Sequence, residues 1–127
     1  MSNETLELNR CMKVLERYGI FAQRINTGAV KYNDRCPYCK RRPRQGGTRF
    51  VRYGKAGNPD IFCRIPRYTS GFAVPFYWEC KKDDEVGLRK KQSEFIDQAI
   101  KDGCIAGYGT STELEKLLIS LDLEPVV

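Results

Sequence analysis

Four polar residues between positions 60 and 92 have the types and spacing for metal-assisted chemistry on a phosphodiester. Asp60 stands at the mouth of an apolar run, Asn58-Pro59-Asp60-Ile61-Phe62, and a reversal follows at Thr69-Ser70-Gly71-Phe72. A second apolar run then ends in Glu79-Cys80-Lys81, and Gln92 lies eleven residues beyond Lys81. Two strands joined by a tight turn would bring Asp60 close to Glu79 and Lys81, which point to one face because strand side chains alternate. Phosphodiester hydrolysis needs an activated water, neutralisation of developing charge and help for the leaving oxygen. Mg²⁺ takes oxygen ligands and keeps several waters, so two or three carboxylates suffice to hold it. Asp60 and Glu79 are the candidate ligands, with the backbone carbonyl of Cys80 between the pair. Lys81 could orient or deprotonate the attacking water, or stabilise the charged phosphorus centre. A Glu-x-Lys on a strand is by itself more often a surface ion pair. Its combination with Asp60 after Gly-Asn-Pro, the intervening turn and Gln92 makes the pattern specific.

The elements that must position these residues follow from periodicity. Residues 3–18 read as a helix, with Leu8, Cys11, Met12, Leu15 and Tyr18 at helical spacing and Gly19 as its stop. Projected at about 100° per residue, Glu4 falls near the middle of that stripe and Glu7 on its edge. Glu4 is therefore either a third carboxylate, reaching the metal directly or through water, or a first-turn acid that suits the helix dipole. If the register shifts by one turn, Glu7 takes that role. A strand and a turn follow over 20–30, then a short strand around Ala29–Tyr32, and Thr48–Tyr53 alternates as another strand. These two would pair as a hairpin. Strands at Asp60–Ile65 and Phe76–Lys81 put Ile61, Cys63, Trp78 and Cys80 on the face away from the charged residues. Leu88–Asp102 is a second helix, Cys104–Tyr108 a short buried strand, and Thr110-Ser111-Thr112-Glu113 starts a last helix ending at Leu121. The order α-β-(β hairpin)-β-β-α-β-α is a mixed α/β sheet flanked by helices.

Bulk properties narrow the chemistry further. The chain has 127 residues, expected to form one domain over 1–127, and a net charge of +6, which favours a polyanionic partner. It contains no histidine, which excludes every mechanism with a histidine base or ligand. No run of about 18 apolar residues occurs, so no membrane span is expected. The N-terminus is unlike a secretion signal, so a cytoplasmic protein with its six cysteines mostly reduced is expected. Positive charge concentrates in the stretch 33–47, which holds Arg35, Lys40, Arg41, Arg42 and Arg44 among prolines and glycines and reads as a long exposed loop. With Arg24, Asn26, Arg49, Arg52 and Lys55 it forms a candidate DNA-phosphate contact surface, or else a solvated face.

Gly57-Asn58-Pro59-Asp60-Ile61, then Glu79-Cys80-Lys81, then Gln92 resemble the core signature of the PD-(D/E)XK nuclease superfamily. Within it the arrangement is similar to the VRR-NUC family. Arg24-Ile25-Asn26-Thr27-Gly28 matches that family's Arg-x-Asn-[Ser/Thr]-Gly segment, Glu4 sits where its helix glutamate would stand, and Gly103–Leu118 resembles its ending. The resemblance covers the chain apart from about residues 33–47. It implies a PD-(D/E)XK restriction-endonuclease-like α/β fold and a Mg²⁺- or Mn²⁺-dependent, structure-specific DNA endonuclease acting on four-way junctions or other branched DNA. It implies a homodimer too, of the small stand-alone type found in phages and bacteria and working in the host cytoplasm if phage-encoded. Asp60, Glu79, Lys81 and Gln92 carry over as catalytic residues, and Asp60, Glu79, the Cys80 carbonyl and Glu4 as metal ligands.

The inserted Cys36-Pro37-Tyr38-Cys39 departs from that pattern. It reads as half of a tetrathiolate Zn²⁺ site, as a thiol redox motif, or as a loop with incidental thiols. Two functions stand beside the nuclease: a basic DNA-binding module of the same fold without turnover, and a thiol oxidoreductase using Cys36 and Cys39.

Overall fold

The computed structural model describes residues 3–25, 28–32, 49–53, 57–69, 71–83 and 85–126. They form α1 (Asn3–Arg17), β1 (Phe21–Arg24), β2 (Gly28–Tyr32), β3 (Arg49–Tyr53), β4 (Ile61–Thr69), β5 (Phe72–Cys80), α2 (Lys90–Lys101), β6 (Ile105–Gly109) and α3 (Ser111–Ser120). This is the element order expected from periodicity. The chain divides into two compact units, Met1–Ile25 with Ala56–Val127, and Asn26–Lys55. In the second, β2 and β3 pair antiparallel with Val30 opposite Val51 and Lys31 opposite Phe50, the hairpin that their alternation predicts. Among the described residues no helix is long and apolar enough to cross a membrane.

The first unit is a mixed four-stranded sheet in the order β1-β4-β5-β6 with three helices. β4 pairs antiparallel with β1 and β5, whereas β5 and β6 are parallel. A parallel pair needs a crossover connection, and α2 supplies it. The core lies on one face of this sheet. Ile61, Cys63 and Ile65 of β4 and Phe76 and Trp78 of β5 are buried there with Leu15 of α1 and Leu114 and Leu118 of α3. Each fully buried large apolar side chain stabilises the fold by roughly 1.5–3 kcal/mol. That total fixes the register of β4 against β5, Ile61 opposite Trp78 and Cys63 opposite Phe76. A slip of one residue would turn this whole apolar set to the other face, with the charged residues going inward. The apolar pattern therefore places Asp60 and Glu79 on the opposite face.

Three expectations are corrected. The β4–β5 hairpin is longer than the alternation implied, with Thr69 opposite Phe72 across a two-residue turn. Gly71 there has φ +83°, a conformation that favours glycine, and a register shift lies between Ile65 and Thr69. The strand expected to be buried near Cys104–Tyr108 is instead a half-buried edge, because among the described residues no strand pairs beyond β6, and Tyr108 is 46% exposed.

The third correction concerns α1. Its buried residues are Glu7, Cys11, Val14 and Leu15, followed by Tyr18, while Leu8 and Met12 are half-buried and Glu4 is exposed. The inward face is thus rotated from the Leu8–Met12 line, because α3 docks on α1. Glu7 is 5% exposed and accepts a hydrogen bond from the backbone N–H of Ser111, the first residue of α3. It also accepts from Arg10 at 3.0 Å. Tyr18 donates its hydroxyl to Glu115 of α3 at 3.2 Å. Burial pushes the Glu7 carboxyl up, but the Ser111 amide and Arg10 outweigh it and hold its pKa below the usual value. Glu7 is an interhelical cap placed at the positive end of α3.

A carboxylate with a depressed folded-state pKa contributes stability that is present above its unfolded value and is lost as pH falls through the folded one. Glu7→Gln should therefore lower the melting free energy by about 1–2 kcal/mol near pH 7. The deficit should shrink as the pH falls below about 4.5. Thermal melts of both proteins over this range check it, and a deficit independent of pH would assign Glu7 a purely steric role.

Candidate active site

Asp60 and Glu79 meet where β4 begins and β5 ends. The next position outward from the Ile61–Trp78 pair sets Asp60 opposite Glu79, on the face away from the core. There the side chains replace the ladder. Glu79 Oε2 accepts from the Asp60 backbone N–H at 3.1 Å, and Asp60 Oδ2 accepts from the Cys80 N–H at 2.9 Å. The Asp60 carbonyl in turn accepts from the Ile25 N–H at 2.8 Å, so the residue is fixed at three points. In an extended strand the N–H and C=O of one residue point to the same side. The Cys80 carbonyl is thereby directed to the side where its N–H meets Asp60.

The two carboxyls lie close enough to share a hydrogen bond. Glu79 is 6% exposed. Burial, and then the charge on Asp60, push its pKa up to about 7. Asp60 is raised as well, by burial above all, with the Cys80 N–H, the hydrogen bond shared with Glu79 and the charge on Lys81 acting against the shift and the charge on Glu4 adding last to it. The charge on Asp60 adds to the proton affinity of Glu79, so the pair is a donor set short of positive charge.

Lys81 and Gln92 complete the network. Lys81 is 8% exposed, and its Nζ lies 3.9 Å from Glu79 Oε1 and donates to Gln92 Oε1 at 3.0 Å. Gln92 Nε2 donates to Glu79 Oε1 at 2.9 Å. The same amide oxygen accepts from the Arg89 N–H at 2.9 Å, so Gln92 also caps the helix that carries it.

Aromatic packing aims this helix. Phe62, Tyr77 and Phe95 form a chain of rings with centroids 5.3 Å and 5.0 Å apart, the second contact edge-on. Each such pair contributes about 0.5–1.5 kcal/mol beyond its buried area. Tyr77 shares a face with Glu79 two residues on, and Gln92 lies one helical turn before Phe95. Seating Phe95 on Tyr77 therefore delivers Gln92 to Glu79. Gly57, with φ +90°, lets the turn into Asp60 press against α2, where a Cβ would stand 2.7 Å from the Lys91 carbonyl oxygen.

The chemistry of this donor set fits a hard divalent cation. Two carboxylates and a backbone carbonyl match Mg²⁺ or Mn²⁺, which retain waters at their remaining positions. Glu4 does not join Asp60 and Glu79 in a ligand cluster, and among the described residues no group of three or more His, Cys, Asp or Glu side chains is arranged to hold a metal. Its charge nevertheless acts on Asp60. The thiols serve the core. Burial, and then the neighbouring Cys11, push Cys63 up to about 12, and contact with Cys11 followed by burial raises Cys80. Cys11, Cys63, Cys80 and Cys104 are all unpaired.

The sequence-predicted site residues divide into two sets. Asp60, Glu79, Lys81 and Gln92 are brought together. Arg24 is exposed at the end of β1, and Arg49 and Arg52 lie on β3. Asn26, Lys40, Arg41, Arg42, Arg44 and Lys55, with Cys36 and Cys39, fall outside the described residues. Two features went unread in the sequence. One is Glu7, whose partner is a backbone amide and so leaves no pairwise pattern. The other is the capping role of Gln92, for which a glutamine at the third helical position is a recognisable sign.

This mixed sheet carries its carboxylate pair and lysine at the strand ends, the arrangement that the PD-(D/E)XK resemblance leads one to expect. No protein-family model and no curated protein matches the chain. The chain is similar to a solved structure described as a VRR_NUC domain, with a TM-score of 0.59 and 18% identity over 94% of this chain and 97% of that one. The fold is that of the VRR_NUC domain.

A carboxyl whose folded pKa is raised contributes stability that is full below its unfolded value and is lost as pH rises through the folded one. The metal-free protein should therefore lose stability between about pH 4.5 and 7, and Glu79→Gln should flatten that decline. Thermal melts in EDTA test this. An unchanged slope in the variant would show that Glu79 is not the titrating group.

Proposed function

We propose that this protein is a Mg²⁺- or Mn²⁺-dependent endodeoxyribonuclease that hydrolyses phosphodiester bonds of branched DNA, four-way junctions among them. The observation that carries the reading is the network of Asp60, Glu79, Lys81 and Gln92, two adjoining carboxyls with a buried lysine held beside them. Asp60, Glu79 and the Cys80 carbonyl would hold the cation, with Glu4 contributing through a bridging water. When bound, the cation supplies Lewis acidity and neutralises charge on the phosphoryl oxygens.

The protein's own groups do the rest. An ammonium has three N–H donors, and Lys81 commits one to Gln92. The other two serve a phosphate oxygen or the attacking water. Gln92 keeps Lys81 from collapsing onto Glu79 by accepting from one and donating to the other. Burial strengthens each of these interactions relative to water. The preference for branched DNA and the homodimer rest on the family resemblance, as does the DNA contact made by the basic residues of 24–55. A Zn²⁺ ion at Cys36 and Cys39 is a separate question of metal content in the purified protein.

The test incubates purified protein with plasmid, single-stranded, flap and four-way-junction DNA, in Mg²⁺ or in EDTA, alongside Lys81→Ala. Wild type should cut a branched substrate only with the metal, and Lys81→Ala should be slower by about 10²–10³-fold. The nuclease reading fails if neither protein cuts, or if both cut at the same rate.

A further inference from the structure

Positive charge is unevenly shared along this chain. Asn26–Lys55 carries nine Lys and Arg against a single acid, Asp34, whereas the other residues carry thirteen against fifteen Asp and Glu. The unit that holds Asp60 and Glu79 is thus net −2, although the whole protein is +6. A polyanionic substrate meets repulsion there unless cations are placed locally.

One run of cations in that unit lies beside the site. Arg89, Lys90 and Lys91 are consecutive, all exposed, and open α2. The first turn of α2 contains no acid. A helix N-terminus is the positive end of the macrodipole, so cations there oppose it and do nothing for the helix. One backbone donor at this end, the Arg89 N–H, is also engaged by Gln92. What the turn offers outward is side-chain charge. Its location is fixed by two contacts. Gln92, the next residue, hydrogen-bonds Lys81 and Glu79, and Gly57, at the start of the turn into Asp60, is pressed against the Lys91 backbone.

We infer that Arg89, Lys90 and Lys91 form a backbone-contact site for DNA, taking the phosphates that flank the reacting one. This assignment deepens the nuclease reading and rests on it for the identity of the polyanion. The triplet gives the acidic unit its own hold on the strand, and it shares a helical turn with Gln92. Strand position and the Lys81 network are thereby set by one rigid element. The departure from helix-dipole preference marks a local conflict of the kind found where function overrides the fold.

The test compares wild type with the triple variant R89Q/K90Q/K91Q, measuring the affinity for labelled duplex DNA at several salt concentrations with Ca²⁺ in place of Mg²⁺. Neutralising three phosphate contacts should reduce the slope of log K against log[salt] by about 2.7. Over a fourfold rise in salt, wild type should then lose roughly 40-fold more affinity than the variant. The melting temperature should be unchanged or higher, because charges that oppose the dipole have been removed. An unchanged slope would overturn the assignment, and so would a marked fall in melting temperature, which would show that the cations serve the fold. Cleavage by wild type in Mg²⁺ is scored separately. If wild type cuts and the slopes agree, the patch assignment falls and the nuclease reading stands. If wild type does not cut, the nuclease reading falls, while the slopes still decide the patch.

Discussion

Two like-charged carboxyls held against each other at the edge of a core are the constraint on which the rest of this structure depends. Asp60 and Glu79 exchange side-chain-to-backbone hydrogen bonds across the β4–β5 pair, which locks them together regardless of their charge state. Burial raises the proton affinity of both groups, and the charge on Asp60 raises that of Glu79 further. The surrounding groups offset this rise only partly. Lys81 stands 3.9 Å from Glu79 but spends a hydrogen bond on Gln92. The site is therefore organised and under-neutralised at once, a combination that suits a divalent cation and a phosphate far better than a structural ion pair would. A structural pair would bring the lysine into direct contact with the carboxylate.

The pair is imposed by packing elsewhere. Ile61, Cys63, Phe76 and Trp78 fill the core face of the two strands and hold the register that sets Asp60 opposite Glu79. On the other face the Phe62–Tyr77–Phe95 rings seat α2 so that its first turn reaches the carboxylates. At the far side of the core, Glu7 joins α1 to the start of α3. Each of these contacts lies outside the chemistry, yet the site geometry follows from them. The core is strong and apolar where register matters, and polar only at the strand ends where the network sits.

Much of this was legible in the sequence because strand alternation has a period of two and tolerates no slip. Asp60, Glu79 and Lys81 share a face for that reason alone, and the thiols of Cys63 and Cys80 turn away from it by the same parity. Gln92 was legible through its place eleven residues beyond Lys81 and through the family resemblance. Helix one was less so. Its apolar residues cover a broad arc, and the inward direction was decided by a backbone amide of Ser111, which no side-chain pattern reports. The exposed edge at Tyr108 was misread for a related reason. A short apolar run has the same composition whether a further strand pairs with it or not. The cations of α2 were visible as a run of letters, but they acquire meaning only once Gln92 and Gly57 place that turn beside the carboxylates.

The central claim is that Asp60 and Glu79 form a divalent-cation site. Calorimetric titration of Mn²⁺ into wild type and Asp60→Asn measures this without reference to any DNA substrate. The account predicts saturable binding in wild type above neutral pH and its loss in Asp60→Asn, with both proteins folded by circular dichroism. Identical isotherms for the two proteins, or no binding by wild type, would contradict it.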